Sequence, residues 1–362
     1  MIRIFMIGMS DNKGGVEAYI HNLVSKMDSS EYEIVYQLPE MELNGKKWIM
    51  PKNRHHYIKY RKFWKSFFKE NPFDVLYFNT CDIMSIDPLI FAKQAGIPVR
   101  IIHSHSSGVE MNYIGRFGFV HKIFEKTSRK NLMKYATDLF ACSEVAGEWM
   151  FGDEAFRVIK NGIDIEKYQF NGKNAKKCKE SIGLSDDERV VGCIGRLVPV
   201  KNIPFVLDIA QIMKEQKKSV KFVIIGDGEC RAELETKVKE KELQQSVFFT
   251  GAVDNVNEWF SAIDCILMPS LFEGLPFVLV EAQAAGIHSV VSSAVSKEAD
   301  LTGLVHFYDL EESQEIWSAA IMKYIDAPRE ETKQQLEAAG YLADKTTKEV
   351  CKIIKHRIGA DQ

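Results

Sequence analysis

The stretch that most constrains this chain runs from Pro269 to Gly286, PSLFEGLPFVLVEAQAAG. The apolar run Cys265 to Met268 predicts a buried strand that stops at Pro269 and Ser270. The chain then turns through Phe272-Glu273-Gly274-Leu275-Pro276 and continues as an apolar helix opened by a proline. The first turn of such a helix offers unpaired N–H groups and attracts anions. Carboxylates at its mouth (Glu273) and inside it (Glu281) therefore read something other than an anion.

Two carboxylates eight residues apart suggest a glycosidase pair. On a helix with about 1.5 Å rise per residue they stand about 12 Å apart, beyond the roughly 5 to 9.5 Å that glycoside hydrolysis uses. They are better suited to the two ends of one extended ligand, with hydroxyls at either end and phosphate on the amides between. A sugar nucleotide has that layout.

A chain of 362 residues predicts roughly two domains. Seven cysteines without a C-x-x-C pair argue against a disulfide framework or a structural zinc site and for a reducing compartment. The apolar run at Met1 to Met9 is too short for a signal peptide, and no segment reaches about 18 apolar residues. A cytoplasmic protein is the expectation. Residues 1–170 carry net +3 and the rest net −6, so the two halves are expected to meet different partners.

Ile2 to Gly8 reads as a buried strand, followed by a turn through Gly14-Gly15 and a helix from Val16 to Met27. This apparatus brings backbone close to a phosphate or sugar, but it lacks both the G-x-G-x-x-G spacing and the P-loop Lys-Ser/Thr. Further strands are expected at 33–38, 75–79, 99–103, 139–142, 156–159, 190–194, 221–226 and 247–251, alternating with helices. That alternation implies doubly wound parallel sheets whose ligands sit at the carboxyl ends of strands. Gly226-x-Gly228 reads as a turn, and the polar, basic segment from Asn171 to Lys179 as part of the hinge.

No acidic residue occurs between Lys46 and Lys69, where nine cations interleave with Trp48, Tyr57, Tyr60, Phe63, Trp64, Phe67 and Phe68. An anionic membrane surface suits that pattern, and an aromatic core with solvated lysines suits it too; nucleic acid is the weaker reading. A second stripe, Tyr113, Phe117, Val120 and Phe124, fits either a lipid-facing groove or an ordinary packing helix.

His103 and His105 follow the strand at 99–103, on one side of an extended chain, where active-site residues of parallel sheets occur. Further along, Gly195-Arg196 and Lys201 follow the strand at 190–194. Two cations there suit a diphosphate, the arginine by its fork and the lysine as a point charge.

These motifs together resemble the retaining glycosyltransferases of family 4 (glycosyl transferases group 1), in the branch that builds bacterial polysaccharides. Its E-x7-E pattern is matched by Glu273 and Glu281, and its GR-x4-K pattern by Arg196 and Lys201. The resemblance covers nearly the whole chain. It implies an α/β fold of the GT-B kind, two doubly wound Rossmann-like domains facing across a cleft: residues 1–168 on the acceptor side, 169–343 binding the nucleotide sugar, and a helix at 344–362 packed back on the first. It further implies that Glu273 contacts the donor sugar, Glu281 the ribose, Arg196 and Lys201 the departing diphosphate, and the amides of Gly274 and Leu275 the donor. Val253 would read the base, Gly14 and Gly15 would lie over the cleft, and His105, with His103 in reserve, would contact the donor sugar. His288 stands where the family usually has proline, with little catalytic effect expected.

The expected activity is transfer of a sugar from a nucleoside-diphosphate sugar, by family habit a UDP-sugar, to a glycan or lipid-linked oligosaccharide. No cofactor and no essential metal are expected, since no D-x-D triplet is present. The expected setting is the cytoplasm, with peripheral contact to an anionic membrane and no nucleic acid. A sugar-nucleotide epimerase and a non-catalytic sugar-nucleotide-binding subunit remain as alternatives.

Overall fold

The computed structural model describes residues 1–10, 14–51, 57–83, 85–106, 118–273 and 275–359, with side chains throughout except at 57 and 118–125. The chain divides into two compact units, Met1–Gly162 with Ala343–Gln362, and Ile163–Leu342.

The first unit comprises β1 (Ile2–Ile7), α1 (Gly15–Ser25), β2 (Tyr32–Tyr36), β3 (Glu40–Leu43), β4 (Lys46–Ile49), α2 (Tyr57–Glu70), β5 (Val75–Thr80), α3 (Asp87–Gln94), β6 (Val99–Ser104), α4 (Gly118–Tyr135), β7 (Asp138–Ala141), α5 (Glu144–Phe151) and β8 (Arg157–Val158). Six strands form a parallel sheet in the order β2-β1-β5-β6-β7-β8. A parallel sheet is covered on both faces, which is why β1 and β5 read as continuous apolar runs. The strand order reverses between β1 and β5, and ligands in open α/β sheets bind at such a reversal.

The aromatic residues of the basic stretch turn inward: Trp48, Trp64, Phe67 and Phe68 are buried, packed around Phe5 and Phe73. The opposite side of α2 exposes Ile58, Lys59, Arg61, Lys62, Lys65 and Lys69. A hairpin that charge patterning concealed precedes α2. In it β3 and β4 pair antiparallel with Met41 opposite Trp48, and Asn44-Gly45 closes the turn with both residues at positive φ. In the second stripe, Tyr113 and Phe117 lie outside the described residues and the side chains of Val120 and Phe124 are not described.

The second unit begins with a 3-10 turn at Ile165–Tyr168 and runs through α6 (Gly172–Glu180), β9 (Arg189–Ile194), α7 (Ile203–Glu215), β10 (Val220–Ile225), α8 (Arg231–Glu240), β11 (Val247–Gly251), α9 (Val256–Ala262), β12 (Cys265–Met268), α10 (Phe277–Ala284), β13 (Ser289–Ser292), β14 (Val305–Tyr308), α11 (Gln314–Tyr324) and α12 (Lys333–Ala338). Its parallel sheet has the order β11-β10-β9-β12-β13-β14, with the reversal between β9 and β12. The segment expected as hinge is instead a helix: the Asn171 side chain accepts from the backbone N–H groups of Lys173 and Asn174 and so starts α6.

The chain then returns to the first unit as α13 (Ala343–Ile358), which packs on α1 and buries Val350 and Ile354 among Tyr19, Ile20 and Leu23. Gly162 is required at this return, because a Cβ there would lie 2.6 Å from Thr346 Oγ1 and 2.8 Å from the Ala343 backbone.

Candidate functional site

In the second unit the reversal between β9 and β12 is also where the motif residues collect. A small recess is lined by Gly195 and Lys201 after β9 and by Met268, Pro269 and Ser270 at the end of β12. The two loops are tied together: Asn202 Nδ2 donates to the Pro269 carbonyl at 3.1 Å, and the Leu271 N–H to the Val200 carbonyl at 2.8 Å. Asn202 takes the left-handed conformation, φ 52°, which asparagine tolerates better than most residues. Gly226 and Gly228 act by close approach, since Cβ atoms there would lie 2.0 Å from the Gly195 carbonyl oxygen and 2.4 Å from that of Leu197. Gly226, at φ +140°, thus lets the third loop close on the arginine loop.

Lys201 Nζ and Glu273 Oε1 form an ion pair with side chains 21% and 9% exposed. Glu273 is anchored by its backbone, which bridges to Val295 and accepts from the Ser296 N–H at 3.2 Å. Arg196 is exposed, and its guanidinium has no hydrogen-bond or ion-pair partner among the described residues. Glu281 accepts from the Tyr168 hydroxyl at 2.6 Å. Burial pushes its carboxyl up to about 7, against the lowering effect of that bond.

The two glutamates do not share one helix as their spacing predicts. Helix α10 begins only at Phe277, with Pro276 as its N-cap rather than its first residue, so Glu273 lies outside the helix and helical rise does not span all eight steps. Val253 sits in the loop after β11 and Leu275 in the turn before α10, both partly buried against one core. Gly274 lies outside the described residues.

In the first unit, Gly14 and Gly15 open α1, where the Gly14 N–H donates to Glu17 Oε2 at 3.2 Å and Ser10 Oγ to Glu17 Oε1. His103 is the last residue but one of β6 and fully buried, and His105 follows the strand with partial exposure. Their rings stand 4.1 Å apart, side by side as the two-residue spacing predicts, and Tyr19 packs on both. His103 Nδ1 lies 3.2 Å from the Tyr77 hydroxyl, itself 2.7 Å from that of Tyr19. Burial holds His103 well below the usual histidine range and pushes His105 down to about 3.

Two residues that sequence reasoning missed complete the picture. Tyr168 reaches Glu281 across 113 positions of sequence, and no local signal announces such a contact. Asn79, at the end of β5, lies 3.0 Å from His105 Nε2; a polar residue closing an apolar parallel strand was the available hint. His288, in the place expected for proline, bonds through Nδ1 to His306 Nε2 at 2.9 Å, and both stack with Tyr324.

The sequence model of the family described as Glycosyl transferases group 1 matches residues 174–341. The putative glycosyltransferase EpsF of Bacillus subtilis (strain 168) is 30% identical over 360 residues, covering 94% of this chain and 92% of that protein. A UDP-Gal:alpha-D-GlcNAc-diphosphoundecaprenol alpha-1,3-galactosyltransferase of Escherichia coli is 30% identical over 226 residues, 53% of this chain and 57% of its own length. Among solved structures, Anabaena HepE in complex with UDP-glucose superposes with a TM-score of 0.70 at 17% identity, covering 99% of this chain and 96% of that one. The fold is thus GT-B, with two Rossmann-like α/β domains. With 30% identity to EpsF over nearly the full length of both chains and a family match over the unit that carries Arg196, Lys201, Glu273 and Glu281, the chain belongs to the glycosyl transferases group 1 and is a glycosyltransferase.

Proposed function

We propose that the protein transfers a sugar, with retained configuration, from a UDP-sugar to a glycan or lipid-linked oligosaccharide in polysaccharide assembly. One observation carries the reading: Lys201 pairs with the carboxylate of Glu273 where the sheet order of the second unit reverses, and on the same loop as Lys201 stands an exposed arginine, Arg196, without a partner among the described residues. Lys201 and Arg196 offset the charge that grows on the diphosphate as the anomeric carbon–oxygen bond breaks. The sequence offers no D-x-D triplet for a metal to share that role. Glu273 accepts from hydroxyls of the donor sugar and Glu281 from those of the ribose. The acceptor oxygen takes the anomeric carbon, and its proton passes to the departing phosphate. Leu275, Gly274 and Val253 contribute backbone groups, and Gly14, Gly15 and His105 belong to the acceptor-side domain. The name of the related Escherichia coli galactosyltransferase and the UDP-glucose bound by HepE support UDP and a diphosphoundecaprenol-type acceptor.

Thermal shift against nucleoside diphosphates and their sugars tests this. UDP at 100 times its Kd adds about 2.7 kcal/mol of stability, and the shift disappears in Arg196→Ala. A response to another base reassigns the donor; no response in folded protein favours a non-catalytic subunit.

The same proposal sets α2 against an anionic membrane. Lys59, Arg61, Lys62, Lys65 and Lys69 have no ion-pair or hydrogen-bond partner among the described residues, and Ile58 is 83% exposed beside them. At about 1 kcal/mol per cation near such a surface, neutralising Lys59, Arg61, Lys62 and Lys65 abolishes flotation with vesicles containing phosphatidylserine. Equal flotation removes α2 from the membrane account. Among the described residues no helix is long and apolar enough to cross a membrane.

A further inference from the structure

We propose that Asn79 is a positioning residue that locks His105 as the neutral tautomer protonated at Nε2, so that the ring can engage a ligand only by accepting a hydroxyl proton at Nδ1. The proposal deepens the reading of His105 as a donor-sugar contact and, for its functional half, rests on it.

A backbone carbonyl orients the asparagine. Asn79 is 2% exposed, and its Nδ2 lies 2.9 Å from the Ile7 carbonyl oxygen and 3.2 Å from Met6 Sδ. A carbonyl oxygen can only accept, so the amide atom facing it is the nitrogen, and the orientation of the side chain follows. The other amide atom, Oδ1, therefore faces His105 Nε2 at 3.0 Å. An amide oxygen also only accepts, so Nε2 carries the proton.

The remaining question is whether the ring holds one proton or two. Among the described residues, the titratable groups that face it are His103 on β6 and Tyr19 on α1, with Tyr77 of β5 behind His103. Burial holds His103 neutral and raises both tyrosines, so none of them is charged near neutral pH. His105 itself is pushed down to about 3 by burial. The ring thus holds one proton, and Nδ1 is bare. Nδ1 is covered from solvent and has no hydrogen-bond partner among the described residues. A buried unpaired acceptor is costly, and it is the one hydrogen-bonding position of the ring that the fold leaves unused.

The rest of the neighbourhood keeps this arrangement rigid. The His105 N–H donates to the Thr80 carbonyl at 3.0 Å, which fixes its backbone to the end of β5. Gly8, at φ +119°, leaves room for Asn79, because a Cβ there would lie 2.7 Å from the asparagine Cβ. Gly8 directly follows β1 and Asn79 is the last residue but one of β5, so the tautomer is set at the strand-order reversal of the first unit. Two chemistries are thereby ruled out for His105. It cannot donate to a phosphate oxygen through Nδ1, and it holds no proton with which to serve as a general acid there.

Nitrogen-15 NMR of the full chain with labelled histidine tests the assignment. In the wild type, His105 shows the Nε2–H tautomer pattern with no titration from pH 5 to 8. In Asn79→Asp a carboxylate replaces the amide and brings the His105 titration into that window. In Asn79→Leu the tautomer is no longer imposed, and kcat/KM for transfer falls at least about tenfold, most of it in KM for the donor. Titration of wild-type His105 in the window, or protonation at Nδ1, overturns the proposal, and this readout stands even where a variant does not fold. Undiminished transfer in folded Asn79→Leu overturns the positioning role. The NMR needs no donor: a correct tautomer in a protein that no nucleotide stabilises sinks the proposed function and leaves the tautomer standing.

Discussion

Lys201→Met lowers sugar transfer about 10²- to 10³-fold, the loss expected when one preorganised stabiliser of developing negative charge is removed. Its effect on stability is as informative. Lys201 and Glu273 form a largely buried pair, 21% and 9% exposed. Removing one partner of such a pair leaves an uncompensated charge and costs about 3 to 5 kcal/mol; here the lower end applies, because the lysine retains some solvent. Glu273→Gln strands the lysine in the same way. The double variant Lys201→Met/Glu273→Gln carries no buried charge and recovers most of the stability, yet transfer remains lost. Urea unfolding and steady-state kinetics on the four proteins form a double-mutant cycle. Activity restored in the double variant would show that the pair serves the fold alone. Under the proposed function the ion pair exchanges on binding: Lys201 passes from the carboxylate to the diphosphate and frees Glu273 for the sugar.

Glu281→Gln stabilises the protein at pH 8 by up to about 3 kcal/mol and leaves stability at pH 4 nearly unchanged. The carboxyl stands at about 7 in the fold against 4.5 as the ordinary value. Its folded form therefore binds a proton more tightly than its unfolded form does. Stability is fully kept below 4.5, falls as pH rises toward 7, and the whole penalty is present above. Glutamine removes that penalty and still accepts from the Tyr168 hydroxyl. Ligand binding runs the other way, because a carboxylate accepts ribose hydroxyls more strongly than a carboxylic acid does. Affinity for UDP rises with pH through the neutral range in the wild type, and in Glu281→Gln it is weak and flat. Calorimetric titration at pH 6, 7 and 8, paired with melting curves, checks both signs. A wild-type affinity independent of pH would separate Glu281 from the ribose.

Much of the fold was legible because parallel strands buried on both faces announce themselves as apolar runs. The strands at 75–80, 99–104, 189–194 and 265–268 stand where such runs occur, and the last three have proline or glycine at one end. Some short elements were less visible. Strands β13 and β14 have four residues each, too few for periodicity to register. Helix α6 has a polar sequence, GKNAKKCKE, with too little apolar stripe to mark it. The hairpin was legible in principle, since Asn44-Gly45 is the dipeptide that a tight turn demands, but the surrounding cations drew attention to charge instead. For the site, sequence spacing singled out the arginine, the lysine and the two glutamates as candidates. It could not show that Lys201 and Glu273 pair, or that Tyr168 and Asn79 hold Glu281 and His105, because those contacts depend on tertiary neighbours far apart in the chain.

Helix α13 ties the last part of the chain to the first: Thr347 Oγ1 donates to the Leu23 carbonyl at 3.1 Å, and Val350 and Ile354 complete the core around Tyr19. The second unit is one uninterrupted segment, Ile163–Leu342, and the first is made of two. On a ribosome adding about 5 to 20 residues per second, the second unit takes on the order of ten seconds or more to emerge. Through that interval the apolar face of α1 waits without its cover, while the second unit can already close on itself. The second unit can therefore form as an independent fold, and the first is sealed only after the second has emerged.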